Sequence, residues 1–494
     1  MTRRRSLAII LVYLACASFL FLTHSRLLSL PFFWDEAGQF ISQSWDLYSK
    51  GLILPESALP NSHPPGLPLF LSALWRFFGF GIELTRGAML LWGAAYLCAG
   101  FLLAVELVKG SRGAPAFLAL GFLAAHPLVY TQSMMAQLDL PSAACVTAML
   151  VAYLQRHERT MVLCALAAVA FKETSVVVPL VLAAFLWRRG EPRLAILLGG
   201  LPVLLLLNWF GFLWWKTGFA FGDGEYSRYN LEYPLHPARL AFALFRRASF
   251  LLVENFHFVP ALVLAWRWRA IGFQPVWQPV VAASLAFVLA VSASGGAVLE
   301  RYLLPVLPVL AAAFAGALST LAPKLRYGLF ALTLAGMTGC LFVNMPWPYA
   351  LENNLAMVDL VELQRNTVGL VESKFRERRV TTTWPLNDAL EKPYLGYGTR
   401  KHEHLREIHQ TSVEAVNSMD WVAGDVLILY SRAWQPDVEL TQFPPVRWFL
   451  DRFFEMPQDL RRGQMDLLPG FRRIVGYEQR GFWVEILVFT GDGI

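Results

Sequence analysis

Charge is scarce in this chain of 494 residues: Asp, Glu, Lys and Arg make up 16% of it, against 56% hydrophobic residues. A soluble domain carries about 25% charged residues. The deficit excludes an ordinary soluble protein over much of the length and points to lipid as solvent. Cysteine is scarce too. Cys16, Cys98, Cys145, Cys164 and Cys340 all lie in apolar runs. They show neither metal-ligand spacing nor a disulfide framework, and read as packing residues. The chain lacks a P-loop, a Gly-rich dinucleotide fingerprint, His-Glu-x-x-His and Gly-x-Ser-x-Gly, which excludes the nucleotide-driven and hydrolytic chemistry those motifs serve. The net charge of +6 would suit nucleic acid in a soluble protein. Here the excess sits in short loops and no nucleic-acid-binding module occurs, so no nucleic acid partner is expected.

What the chain does have is long apolar runs, from residue 6 to about 345. Met1-Thr2-Arg3-Arg4-Arg5 leads into a stretch that runs past residue 20 with no small-residue cleavage site, so it reads as an uncleaved first membrane helix. At about 20 residues per crossing, candidate spans fall at 6–30, 86–108, 113–130, 139–155, 158–171, 174–187, 194–215, 248–266, 279–296, 302–320 and 327–345. Arg3-Arg4-Arg5, Lys109 with Arg112, Arg156 with Arg159, Arg188-Arg189 with Arg193, Arg267 with Arg269, and Lys324 with Arg326 then all fall on one side. That side is the cytoplasm, and the tail lies outside, which in a Gram-negative bacterium is the periplasm. The expected organisation is a membrane domain over 1–350, with a long first outer loop at 31–85, and a soluble domain over 351–494. Within that loop the apolar stretch 66–80 suits an amphipathic helix in the interface.

The arms 158–171 and 174–187 are each roughly 21 Å of helix, less than a ~30 Å hydrocarbon core. Their tip, Lys172-Glu173, therefore sits below the outer membrane surface. One continuous helix over 158–187 would invert every later basic loop, and is rejected. A buried Lys–Glu pair points to function; a pair that only caps the hairpin is the alternative.

The outer side collects the residues that carry chemistry. Asp35 and Glu36 follow the first span in Phe33-Trp34-Asp35-Glu36-Ala37. One carboxylate can take a proton from an attacking hydroxyl, and the other can orient it or hold a divalent cation. Capping of an interfacial helix by Asp35 accounts for the pair equally well on local grounds. In Ser62-His63-Pro64-Pro65-Gly66 the prolines fix an extended backbone and aim His63, which suits a metal or a phosphate. Asp139-Leu140-Pro141 opens the fourth span, as a helix cap first and a substrate contact second. Glu300-Arg301-Tyr302 opens the tenth, with Arg301 suited to a phosphate diester or snorkelling beside Glu300. Asp223-Gly224-Glu225-Tyr226 either touches a sugar or is solvated.

In this order the motifs resemble those of the GT-C membrane glycosyltransferases, in the family-39-like group of protein O-mannosyltransferases and lipid A aminoarabinose transferases. The residues that carry the resemblance are Asp35-Glu36, His63-Pro64-Pro65, Asp139, Lys172 and Arg301-Tyr302, within 1–345. The resemblance implies a polytopic α-helical membrane fold of GT-C type. It implies an inverting transfer of a sugar from a polyprenyl-phosphate donor, undecaprenyl phosphate in a bacterium, to a hydroxyl of a periplasmic glycan, lipid or protein. Asp35 would be the general base and Glu36 its assistant, with a divalent metal on Glu36 and His63 as a further expectation. His63, Lys172 and Arg301 would surround the phosphate, with Asp139, Glu173 and Tyr302 as substrate contacts. The aminoarabinose enzymes carry Glu-Lys before Pro-Pro and an Arg two residues after the acidic pair. This chain has Ser62-His63 and Gly38 there, so the sugar stays open and aminoarabinose is not favoured.

The tail reads as a helix over 351–377, strands at 380–384, 426–430, 471–477 and 483–489, and a small α/β or α+β domain. The aromatic stretch Trp384 to Tyr397 reads as core and turn, with ring stacking on a sugar as the alternative. Two rival functions remain: a lipid-linked-sugar flippase, and a membrane scaffold that presents the tail. The outer placement of the charges, away from the bilayer midplane, argues against the first.

Overall fold

A computed structural model of the chain describes residues 3–108, 113–271, 274–345, 347, 349–435, 439–455 and 459–491. Lys109 and Arg112 lie outside the described residues. By internal packing the chain forms two units, one from residues 1–28 and 42–342, the other from 29–41 and 343–494.

The first unit is helical. Among the described residues, three helices are long and apolar enough to cross a membrane: Ser6–His24, Ile82–Leu107 and Pro192–Thr217. Shorter apolar helices include Ala114–Ala125, Asp139–Leu154, Trp277–Ala293 and Leu307–Ser319. Small residues let helices close up, as expected where lipid gives little drive to associate. A Cβ on Gly93 would sit 2.8 Å from Ser133 Oγ. The apolar stretch expected as a helix at 66–80 forms the helix Gly66–Phe78. Its apolar residues Leu67, Leu71 and Trp75 are buried, while Phe77 and Phe78 are exposed.

Three predicted spans differ in detail. The 113–130 span is broken at His126, whose extended backbone precedes Pro127 and whose side chain accepts the Leu128 N–H. The 248–266 span is two helices, Pro237–Leu252 and Phe258–Ile271, separated where Asn255 and Phe256 take left-handed φ of 52° and 61°. In the 302–320 span the helix starts only at Leu307. Pro305 has no N–H to give the Arg301 carbonyl, and the Leu304 N–H bonds it at 3.1 Å instead. Glu300–Leu303 is accordingly a tight 3-10 turn.

The second unit is built on a five-stranded sheet of order β2-β1-β3-β5-β4. The strands are β1 Val380–Thr382, β2 Leu405–Glu407, β3 Val426–Tyr430, β4 Phe471–Gln479 and β5 Phe482–Phe489. β1 is parallel to β2 and β3, whereas β5 is antiparallel to β3 and β4. β4 and β5 join through Arg480-Gly481, both at positive φ, the pattern of a two-residue turn whose twist matches the strands. β3 is wholly buried. Leu427 and Leu429 pack with Val416, Leu460, Trp483 and Leu487. The expected amphipathic helix is Ala356–Lys374.

Asp425, just before β3, is held by Arg379, whose Nε donates to Oδ1 at 3.1 Å. Burial alone would push this carboxyl up. The Arg379 guanidinium and the Val422 N–H outweigh it and hold the group below the ordinary carboxylate range. Its contribution to stability is therefore complete above the unfolded-chain value of about 3.9 and is lost as the pH falls through the lower folded value. Asp425→Asn is expected to weaken protection of the β1 and β3 amides at pH 6, and to converge with wild type in acid. Hydrogen exchange on the full chain reads this directly.

Candidate active site

Asp139, Lys172 and Arg301 come from three separate stretches of sequence, and the first unit brings them together. Asp139 opens the Asp139–Leu154 helix. Lys172 follows the Glu158–Phe171 helix, where the backbone turns extended, with φ −147° and ψ 121°. Arg301 lies in the tight turn before Leu307. Lys172 Nζ donates to Asp139 Oδ1, and Arg301 Nε lies 3.2 Å from Asp139 Oδ2. The three residues are only 3%, 5% and 3% exposed, in that order. Lys172 Nζ also sits 3.7 Å from the centre of the Tyr302 ring, a cation held over a π face.

Lys172 and Glu173 do not pair with each other. Successive side chains on extended backbone point opposite ways. Lys172 thus meets Asp139, while Glu173 accepts from or shares a proton with His63, Nδ1 to Oε2 2.7 Å. The other ring nitrogen of His63 lies 3.4 Å from the Tyr226 hydroxyl. The Asn61 carboxamide oxygen accepts the His63 N–H at 3.0 Å, and Trp209 Nε1 donates to the Ser62 carbonyl at 3.0 Å. Lys172 and Glu173 therefore do not cap the hairpin as a pair; each meets a partner elsewhere in the chain.

The supports of this cluster are local. Ser142 Oγ donates to the Ala168 carbonyl at 2.9 Å and meets Ser175 Oγ at 2.6 Å, pinning the strand-like Lys172 break to the Asp139 helix. Tyr96 OH donates to the Leu304 carbonyl at 2.8 Å, fixing the turn that carries Arg301. Gly66 allows the His63 turn to lie against the end of the Glu158–Phe171 helix: a Cβ there would be 2.7 Å from the Ala170 carbonyl carbon and 3.0 Å from Phe171 N. Both are backbone atoms and cannot swing away. Gly66→Ala is expected to cost about 1–3 kcal/mol of stability through overpacking, read as a lower unfolding midpoint in detergent.

Two residues escaped the sequence reading. Arg247 is buried, donating to the Val291 carbonyl at 2.7 Å and to Leu299 at 3.3 Å, with its guanidinium 5.8 Å from the Tyr302 ring. Its neighbour Arg246 pairs with Glu300. The signal was available: two adjacent arginines on the predicted outer side run against the usual charge asymmetry. With them, Lys172, Arg246, Arg247 and Arg301 stand against Asp139, Glu173 and Glu300. Around Asp139 itself, Lys172 and Arg301 face one carboxylate, an excess of one positive charge, while the outlying Arg246, Arg247, Glu254 and Glu300 balance one another. That excess suits a phosphodiester, and better still the phosphomonoester it becomes when a substituent leaves.

Asp35 and Glu36 belong to the second unit. Glu36 is fully buried. Its Oε2 accepts the Phe33 N–H at 2.9 Å, while its own N–H bonds the Phe33 carbonyl at 2.9 Å, a reciprocal cap. This closes the turn in which Trp34 takes φ 49°. Asp35 is half-buried on that turn, just ahead of the π-helical Glu36–Ile41 segment, and π turns are frequent at functional sites. Among the described residues, no group of three or more His, Cys, Asp or Glu side chains is assembled to hold a metal ion. Glu36 and His63 are each engaged with protein partners.

Two solved structures of ArnT, a lipid A aminoarabinose transferase from Cupriavidus metallidurans, are similar to nearly the whole chain. The one bound to undecaprenyl phosphate is 14% identical and matches 97% of this chain and 97% of its own at a TM-score of 0.55. The apo form is 14% identical, with 98% of each chain matched and a TM-score of 0.53. The chain has a GT-C fold. Arabinofuranosyltransferase AftD from Mycobacteria is 13% identical, matching 100% of this chain and 40% of its own at a TM-score of 0.40. No protein-family model matches the sequence, and no curated protein matches it. The GT-C fold is shared across both ArnT states, and its helical part holds the phosphate-suited cluster in this chain.

Proposed function

We propose that this protein transfers a sugar from a polyprenyl-phosphate donor to a hydroxyl of an acceptor outside the cytoplasm, with inversion at the anomeric carbon. The observation that carries the reading is the buried Lys172–Asp139–Arg301 cluster, with its positive excess, in a fold whose solved neighbour ArnT binds undecaprenyl phosphate. The proposed topology has about eleven crossings, a cytoplasmic N-terminus and the sheet-bearing unit outside.

The acceptor oxygen attacks the anomeric carbon as the bond from that carbon to the phosphate oxygen breaks. The electron pair of that bond leaves with the lipid phosphate, whose charge grows from one negative to two. Lys172 and Arg301 stabilise the growing charge, and His63 adds a further positive charge when protonated. Such preorganised electrostatics commonly supply the largest part of an enzyme's rate. Asp35 takes the acceptor proton, and Glu36 holds the turn on which Asp35 sits.

The test is transfer of label from radiolabelled polyprenyl-phosphate sugars to membrane extracts, with wild type and Asp35→Asn, in the presence and absence of EDTA. New labelled product that drops at least about 100-fold in Asp35→Asn is the expected result, and its loss in EDTA would assign a divalent metal to Glu36 and His63. Movement of the donor across a vesicle bilayer with no new glycosidic bond would establish a flippase instead.

A further inference from the structure

The second unit holds a pair of indoles that its core does not need. Phe32, Phe33, Phe40, Leu386, Leu390 and Leu395 are buried, yet Trp34 and Trp384 are left half-buried. Their ring centres are 4.8 Å apart at 73°, so the two faces meet as a corner. Trp34 directly precedes Asp35 in the chain, and its backbone is held in the left-handed region at φ 49°. For a bulky residue this is a strained conformation, of the kind that surrounding structure maintains at functional sites.

The Trp384 ring is fixed from two directions. A Cβ on Gly38 would lie 3.0 Å from both Cζ2 and Nε1 of Trp384. Gly38 lies inside the Glu36–Ile41 helical segment, where glycine costs about 1 kcal/mol relative to alanine. The helix gains nothing from it; the close approach of the indole does. On another side the Trp384 ring meets the Trp34 ring edge to face. A ring so oriented, and still half open, is preorganised for a ligand.

The chemistry of the corner selects the ligand. An indole face is electron-rich and attracts the weakly positive C–H bonds on the flat side of a pyranose. Asp35, next to Trp34 in the chain and half-buried, accepts from a hydroxyl on the ring's rim. A serine or threonine hydroxyl on a peptide brings no such C–H face. We propose that Trp34 and Trp384 form the floor of an acceptor subsite for a pyranose ring next to Asp35, so that the acceptor is a carbohydrate. This rests on the assignment of Asp35 as the base in the proposed transfer.

Saturation-transfer NMR on the detergent-solubilised full chain tests it without turnover. The probes are methyl α-glucoside, methyl α-mannoside, methyl N-acetyl-β-glucosaminide and a blocked seryl peptide. Saturation is expected on the ring C–H protons of at least one glycoside. It should fall about fivefold in Trp384→Ala and persist in Trp384→Phe and Asp35→Asn. An undecaprenyl-phosphate-linked sugar should leave the signal in place. No saturation on any glycoside, an equal signal in a folded Trp384→Ala, or a stronger signal on the peptide overturns the proposal. Displacement by the lipid-linked sugar assigns the rings to the donor and overturns it as well. If the transferase reading itself is wrong, labelled transfer fails while glycoside saturation is unaffected, so the two failures are distinct.

Discussion

Lys172→Met is expected to lower kcat/KM for sugar transfer by about 10²–10³-fold, the usual cost of removing one charged or hydrogen-bonding group that meets a developing anion. The side chain keeps nearly the same length and can still lie on Tyr302, so packing survives. Arg301 remains 3.2 Å from Asp139, so the carboxylate is not stranded and the fold stands. Because the phosphate's charge doubles only as the bond breaks, the loss should fall mainly on kcat. Steady-state kinetics against a defined polyprenyl-phosphate sugar reads this. A Lys172→Met enzyme with wild-type kcat would remove the lysine from the reaction.

Asp139→Ala acts differently, on stability. It leaves Lys172 and Arg301 buried with no carboxylate between them. Breaking one side of a buried ion pair costs about 3–5 kcal/mol, here with two cations uncompensated. The unfolding midpoint in detergent should drop accordingly, and Asp139→Asn should drop it less because the amide can still accept a hydrogen bond. Combining Asp139→Ala with Lys172→Met should recover part of the loss, since one stranded charge is removed. An additive double variant would show that the two side chains are not coupled.

Much of this arrangement was legible before any coordinates. Loop charges sorted the apolar runs, and that sorting placed Asp139, the Lys172 tip and Arg301 on one face. The short arms of 158–171 and 174–187 marked Lys172 as buried, as it is. Asp139 was read first as a helix cap; its part as the shared counter-ion of two cations depends on contacts between distant segments that no local pattern encodes. Lys172 and Glu173 looked like a pair because they are adjacent, and only the extended backbone at Lys172 separates them. Four of the five strands carry apolar alternation or a buried β-branched run and were visible. β2 is three residues long, with Arg406 and Glu407 at an edge, and gives no such signal. That residues 29–41 pack with the tail was invisible as well, since the hydrogen bonds that tie Phe32 to Leu395 and Tyr397 cross more than 300 positions of sequence.

A polyprenyl-phosphate site in the buried cluster of the helical unit should bind the lipid phosphate without any sugar attached. Native mass spectrometry of the detergent-solubilised protein titrated with undecaprenyl phosphate tests it most directly, comparing wild type with Lys172→Met and Arg301→Gln. A lipid adduct is expected on wild type, with at least about tenfold weaker binding in each variant, one charge-assisted contact being worth about 1.5–3 kcal/mol. Equal binding by all three proteins would contradict it.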